Sequence, residues 1–225
     1  MIKIKLKQFF ILFIFLFSLK IKAQNNEGGI YMLQFKIDND LIEEFKVEFP
    51  EKKFFTSFSE IVQFSDEVLD SIKFVSESFL SKKLNSDVKC IYKYTKRGKK
   101  ITSVGVLGEL DGMPVNTFKN TIQSYNKKYY ISIVANFQAG GYSIDFGRGK
   151  RSKIKPKLTL VVNVFDVDKN LIFKNKFVEK NFEKLRSYSG SYEGVRGNTV
   201  VTASETLRDV DFFSMYKSTL DKLLK

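Results

Sequence analysis

The residues at 157–168, KLTLVVNVFDVD, form the most continuously apolar and β-branched run beyond the amino-terminal leader. Leu158, Leu160, Val162 and Val164 fall on one side of a two-residue alternation and Thr159, Val161, Phe165 and Val167 on the other. Both faces of such a strand are at least partly covered, so the run reads as a central strand. Segments 129–137 and 171–178 alternate in the same way, and only Asp168, Lys169 and Asn170 separate the run from the second of them. The pattern predicts a three-stranded meander as the scaffold.

Ahead of it, Tyr31, Leu33, Phe35 and Ile37 alternate with polar residues. Asp38, Asn39 and Asp40 supply a turn, and Phe45, Val47 and Phe49 alternate again before Pro50, which predicts a hairpin. Ser57 and Glu60 have capping-box spacing in front of Ile61, Phe64, Val68, Ile72, Val75 and Phe79, one apolar helix face, with Lys82 and Lys83 at the end that favours cations. Strands are expected at 88–94 and 101–107, joined by Lys96, Arg97, Gly98 and Lys99. Asp111, Gly112 and Pro114 introduce a shorter helix carrying Val115, Phe118, Ile122 and Tyr125 on one face. A long Ser-, Gly- and Tyr-rich connection follows at 183–201. Thr202 and Glu205 make a second capping box before a closing helix buried through Leu207, Val210, Phe213, Leu220, Leu223 and Leu224. The sum is an α+β (mixed α/β) fold: a mostly antiparallel sheet packed by about three helices, in a single domain over 24–225 with no internal repeat.

The leader changes what counts as part of that domain. MIKIKLK is basic, and 9–19 is apolar apart from Ser18. A spanning helix needs about 20 apolar residues, so this run is short, and Ala23 is a suitable small residue before a cut. A signal peptide over 1–23 is expected, with a mature chain from Gln24 that is exported, periplasmic or secreted, and has no membrane span after cleavage. An uncleaved amino-terminal anchor is the rival reading. No cysteine follows Ala23, so the lipid-anchored form of the signal is absent. The formal net charge is +13, and five lysines (Lys3, Lys5, Lys7, Lys20, Lys22) belong to the leader with no acid among them, which leaves +8. That charge fits a solvated basic surface as well as an anion-binding one. Cys90 is the only cysteine, so no intramolecular disulfide forms, and its setting predicts a small buried hydrophobe.

The chain has no histidine. This removes Ser-His-Asp, Cys-His and histidine-zinc chemistries and lowers the case for a hydrolase. Asp166, Asp168 and Asn170 have calcium-loop spacing, but Leu171 and Phe177 stand where the loop needs Gly and Glu, so a hairpin turn accounts for them. Gly147, Gly149 and Lys150 fail the phosphate-loop spacing at Ile144 and Arg151, and Gly190, Gly194 and Gly197 do not make a dinucleotide fingerprint. The pairs Glu43/Glu44 and Asp209/Asp211 are expected on exposed faces. No metal, cofactor or nucleic-acid partner is implied.

One stretch stands out. Arg148, Lys150, Arg151, Lys153, Lys155 and Lys157 occur with no acid among them. Meander geometry sends connections 138–156 and 183–201 to the same end of the sheet. Tyr142, Arg148, Lys150, Arg151, Lys153, Arg186, Tyr188, Tyr192 and Arg196 are therefore expected on one surface suited to an anionic polymer, a lipid headgroup or an envelope protein. A pair of mobile, solvated loops is the bland alternative.

The order of elements, with a leader, an early strand, a helix, a strand and a helix, then YYISIVANF, LTLVVNVFDVD and LIFKNKF before a closing helix, resembles the small α/β domains of the curli secretion lipoprotein and the TolB amino-terminal domain. The resemblance covers about 30–225 as architecture and rests on no residue motif. The lipoprotein cysteine and the β-propeller are missing, so pore formation and propeller-borne partner binding do not carry over. It implies an envelope-associated, non-enzymatic role. The expected function is an exported, non-catalytic domain binding a protein or an anionic envelope component. A carboxylate- or tyrosine-dependent enzyme on an extracellular substrate is the alternative.

Overall fold

The computed structural model describes residues 26–38, 41, 51–56, 59–103, 110–145, 149–182, 185–194, 197–204 and 207–224; for 51–63, 141–155 and 185–204 it is the backbone course and pairing that are described. The elements in chain order are β1 (Glu27–Ile37), β2 (Glu51–Thr56), β3 (Ser59–Gln63), α1 (Asp66–Leu84), β4 (Asp87–Cys90), β5 (Lys93–Tyr94), β6 (Lys100–Ile101), α2 (Phe118–Ser124), β7 (Tyr129–Asp145), β8 (Gly149–Phe165), β9 (Leu171–Glu179), β10 (Leu185–Gly194), β11 (Gly197–Ser204) and α3 (Asp209–Leu224). The class is α+β. A seven-stranded mixed sheet runs β11-β10-β8-β7-β1-β4, with β9 also paired to β8. Only the β4-β1-β7 pairings are parallel.

The meander forms as its alternation predicts. β7 pairs β8 antiparallel from Tyr130↔Phe165 onward, and β8 pairs β9 from Phe165↔Leu171 to Leu158↔Glu179. The turn between β8 and β9 is held by Asp166, whose carboxylate accepts from the Asn170 backbone N–H (2.8 Å) and side-chain amide (3.0 Å), while Lys169 adopts φ 69°. Those contacts explain the acidic spacing as turn chemistry.

Leu158, Leu160, Val162 and Val164 are all fully buried, as are Ile131, Ile133, Ala135 and Phe137 on β7. They pack against Val68, Leu69, Ile72, Phe79 and Leu80 of α1 and Phe212, Met215, Tyr216, Leu220 and Leu223 of α3 in one hydrophobic cluster. The opposite sheet face is capped near the start of β7 by α2, where Phe118 meets Tyr31, Tyr130 and Phe165 at ring-centroid distances of 5.7, 6.0 and 4.5 Å.

Local expectations were corrected where pairing across the chain overrides local pattern. The Ser57/Glu60 box does not start α1. Ser59–Gln63 pairs with Glu51–Thr56 instead, in keeping with β-branched Ile61 and Val62. The helix begins after Ser65, with Asp66 and Glu67 in its first turn. Thr202 likewise lies in β11, opposite Ser189. In front of α3 the Asp211 carboxylate accepts from the Arg208 N–H at 2.7 Å.

Val210 is exposed, because α3 buries the phase of Phe212, Met215, Tyr216 and Thr219. Asp209 is buried, not exposed. One of its oxygens takes the Ser65 N–H (3.1 Å) and hydroxyl (2.7 Å), which ties the starts of α1 and α3 together. Val115 precedes α2, whose cap is Thr117. The expected strand 88–94 is broken into β4 and β5, and of the strand expected at 101–107 only Ile101 belongs to a described ladder, 104–109 lying outside the described residues. Among the described residues β1 has no hairpin partner: β7 lies on one edge, while β4 and then the 110–115 segment follow the other through Leu33 N–H to Pro114 C=O (3.0 Å) and Leu110 N–H to Phe35 C=O (3.1 Å). The 45–49 half of that expectation, and the leader, lie outside the described residues.

Candidate functional site

The segments read as loops at 138–156 and 183–201 are largely strand. β7 and β8 run 17 residues each and stay paired as far as Asp145↔Lys150. β10 pairs with β8 from Leu185↔Ile154 to Gly190↔Gly149, and β11 closes a second hairpin on β10. A strand pairs through its backbone, so Gly, Ser and Tyr do not prevent a ladder that a neighbouring strand offers.

This ladder places several of the candidate residues side by side. Tyr142 pairs with Lys153, and Lys153 pairs with Arg186, making one row across three strands. Arg151 pairs with Tyr188 in the next row on the same register parity. Directly opposed residues on neighbouring strands have Cα atoms about 4.5–5.5 Å apart. Lys150 pairs with Asp145 and Ser189 and has the other parity, so its position belongs to the opposite sheet face. Tyr192 shares the parity of Tyr188 but pairs only with Thr199, farther out. Arg148 and Arg196 lie outside the described residues.

The outer edge of β8 passes from β9 to β10 in the region of Lys155, Pro156 and Lys157. Proline has no N–H to give a ladder, which suits a gap at this point. Beside the gap is an open cleft of about 770 Å³ lined by Lys157, Phe177, Val178, Glu179, Lys180, Asn181 and Lys222. Glu179 is buried and bonded to Lys222, and its Oε1 also takes the N–H groups of Lys180 (3.0 Å) and Asn181 (2.7 Å). Burial alone would raise its pKa, but Lys222 and the two N–H groups outweigh it and hold the carboxyl below its ordinary value. The stability this group contributes is therefore present above the unfolded-state pKa and lost as pH falls through the depressed folded value. Glu179→Gln should flatten the acid limb of a stability-versus-pH curve below about pH 4.5; a limb of unchanged slope would contradict the assignment.

The other perturbed groups point away from catalysis. Burial raises Tyr31, Tyr92 and Tyr216, the wrong direction for a tyrosine recruited as a base or nucleophile. Cys90 is pushed up to about 12 by burial and by Glu77, so its thiol stays protonated and unreactive near neutral pH.

A second cationic element went unread in the sequence. Lys89, Lys93, Lys96, Arg97, Lys99 and Lys100 fall within twelve residues without an acid, a density like that of Arg148–Lys157. The local pattern at 96–99 reads as a turn, and the charge density over 89–100 is the signal that marks it.

No protein-family model and no curated protein matches the chain. Among solved structures, the crystal structure of a neuraminyllactose-binding hemagglutinin homolog from Helicobacter pylori aligns with a TM-score of 0.36 at 11% identity, covering 90% of this chain and 83% of that one. A likeness of that degree carries no argument about what this chain does.

Proposed function

We propose that this chain is an exported, non-catalytic domain that binds an anionic component of the cell envelope through the β7-β8-β10 ladder. The observation that carries the reading is the register, which sets Lys153 between Tyr142 and Arg186 and Arg151 beside Tyr188. Planar guanidinium groups and tyrosine rings on adjacent strands suit carboxylate, sulfate or phosphate groups on an extended polymer. The envelope setting rests on the leader and on the architectural resemblance to small periplasmic modules. The enzyme alternative needs two close, unequally buried carboxylates in a pocket. The cleft beside β9 offers Glu179 alone, already held ionised by Lys222.

The test uses exported protein, whose intact mass should lack residues 1–23. Arg151, Lys153 and Arg186 are replaced together by Ser, and retention on a sulfated polysaccharide matrix is measured at low and moderate salt. Affinity should fall by roughly a hundredfold, since each of the three cations at an anionic surface contributes on the order of 1 kcal/mol. Lys150→Ser, on the other face, should change it less. Retention that is unchanged in the triple variant, or indifferent to salt, would contradict the proposal.

A further inference from the structure

β5 and β6 pair only with each other, forming a two-stranded sheet apart from the main one. Their hairpin is well fixed. Lys93 pairs with Ile101 and Tyr94 with Lys100, the Thr95 N–H bonds to the Lys99 carbonyl at 2.8 Å, and the Lys99 N–H bonds to Thr95 Oγ1 at 3.0 Å. Gly98 takes φ 76°, the left-handed value that lets the loop turn tightly. The loop presents Lys93, Lys96, Arg97, Lys99 and Lys100, all exposed.

Two acids on the neighbouring flank of α1 are already matched. Asp70 is paired with Lys73 at 2.8 Å, and Glu77 takes Lys89 Nζ (3.3 Å) and the Cys90 N–H (2.8 Å). Lys100 sits over the Tyr92 ring at 3.5 Å. Among the described residues, Lys93, Lys96, Arg97 and Lys99 then stand as surplus positive charge on this projection.

The same region carries the most exposed large apolar side chains of the described residues. Phe74 is 68% exposed and Tyr94 is 55% exposed. Phe74 lies four residues after Asp70 and three before Glu77 on α1, hence on the helix flank that contacts β4 and leads to the hairpin. An exposed phenyl and a phenol set among unpaired cations match the composition of a bilayer interface, where aromatic rings enter the headgroup region and lysines meet anionic lipid. A bilayer also offers a bare phenyl ring an apolar layer to enter, which a sulfated polysaccharide does not.

We infer that the β5–β6 hairpin together with Phe74 is a peripheral docking surface for an anionic phospholipid bilayer, separate from the β7-β8-β10 ladder. The hairpin follows β4, which borders β1, whereas the ladder lies on the far side of β1 and reaches out to β10, so the two surfaces are built on different strands. Docking is peripheral: among the described residues no helix is long and apolar enough to cross a membrane.

The test compares three variants on vesicles containing phosphatidylglycerol, on pure phosphatidylcholine vesicles and on the sulfated polysaccharide matrix. They are Lys93, Lys96, Arg97 and Lys99 all to Ser; Phe74→Ser with Tyr94→Ser; and the ladder triple variant. Each altered side chain of the hairpin set is exposed, so thermal midpoints should stay close to that of the parent. Wild type should bind the anionic vesicles and not the zwitterionic ones. The four-charge variant should lose about fivefold per charge removed at low salt, and the aromatic pair should lose about threefold to tenfold. The ladder variant should keep vesicle binding while losing polysaccharide, which separates this inference from the proposed function. Vesicle binding untouched by the hairpin variants would overturn the inference. So would vesicle binding that depends on the cations but not on Phe74 and Tyr94, which would make the hairpin a second polymer contact.

Discussion

Phe35→Ala should destabilise the fold by about 3–5 kcal/mol, the range for truncating a fully buried aromatic. Phe35 is fully buried on β1, with its ring 4.7 Å from that of Tyr216 on α3 and 5.8 Å from that of Phe137 on β7. Removing it opens a cavity where the central parallel strand, its neighbour and the closing helix meet. Tyr216 has little room to collapse into the space, because its hydroxyl is bonded to Ser76 at 2.7 Å across the α1–α3 contact. A urea titration checks it: the midpoint should fall with the slope unchanged. A shift equivalent to less than about 0.5 kcal/mol, the surface range, would mean that Phe35 does not pack between Phe137 of β7 and Tyr216 of α3.

Leu160→Ala comes next, with an expected cost of about 2–5 kcal/mol. Leu160 is fully buried and paired with Ala135 on one side and Phe177 on the other, so it sits in the middle strand of the meander. The small Ala135 beside it leaves Leu160 to fill much of the layer beneath the helices. Thr159→Ala, one residue away and only partly buried, should cost far less. Equal losses from the two substitutions would contradict the facing of β8.

The difference between those two residues is also what made this part of the fold legible in the sequence. Alternation at 129–137, 157–168 and 171–178 is a two-residue signal, and burying one face of a sheet demands it. The apolar stripe expected for α1 was readable in part: Val68, Ile72 and Phe79 are buried on the helix, while Phe64 is buried ahead of it, Val75 is only partly buried and Ile61 lies in β3. The parallel pairing of β1 with β4 and β7 left no local trace, because a crossover is set by helix packing and not by neighbouring residues.

Capping-box spacing misled twice, at Ser57 and Thr202. In both places the segment has a strand partner whose ladder bonds outweigh the benefit of one side-chain cap. The candidate surface was half legible. The cation run at 148–157 and its approach to 183–201 could be read from charge and meander geometry. The register that sets Lys153 against Arg186, and sends Lys150 to the other face, could not, because Gly- and Ser-rich composition looks the same in a loop and in a strand paired through its backbone.

That register is the central claim, and disulfide trapping tests it most directly. In a Cys90→Ser background, Lys153→Cys with Arg186→Cys puts two thiols on directly opposed antiparallel residues. Their Cα separation of about 4.5–5.5 Å lies within disulfide range. Mild oxidation should give an intramolecular bridge, seen as the loss of two hydrogens in intact mass and faster migration without reductant. The control, Lys153→Cys with Ser189→Cys, is offset by three residues along β10, about 10 Å, and should stay reduced. No bridge in the first variant, or bridges of equal yield in both, would contradict the ladder and the anion-binding surface built on it.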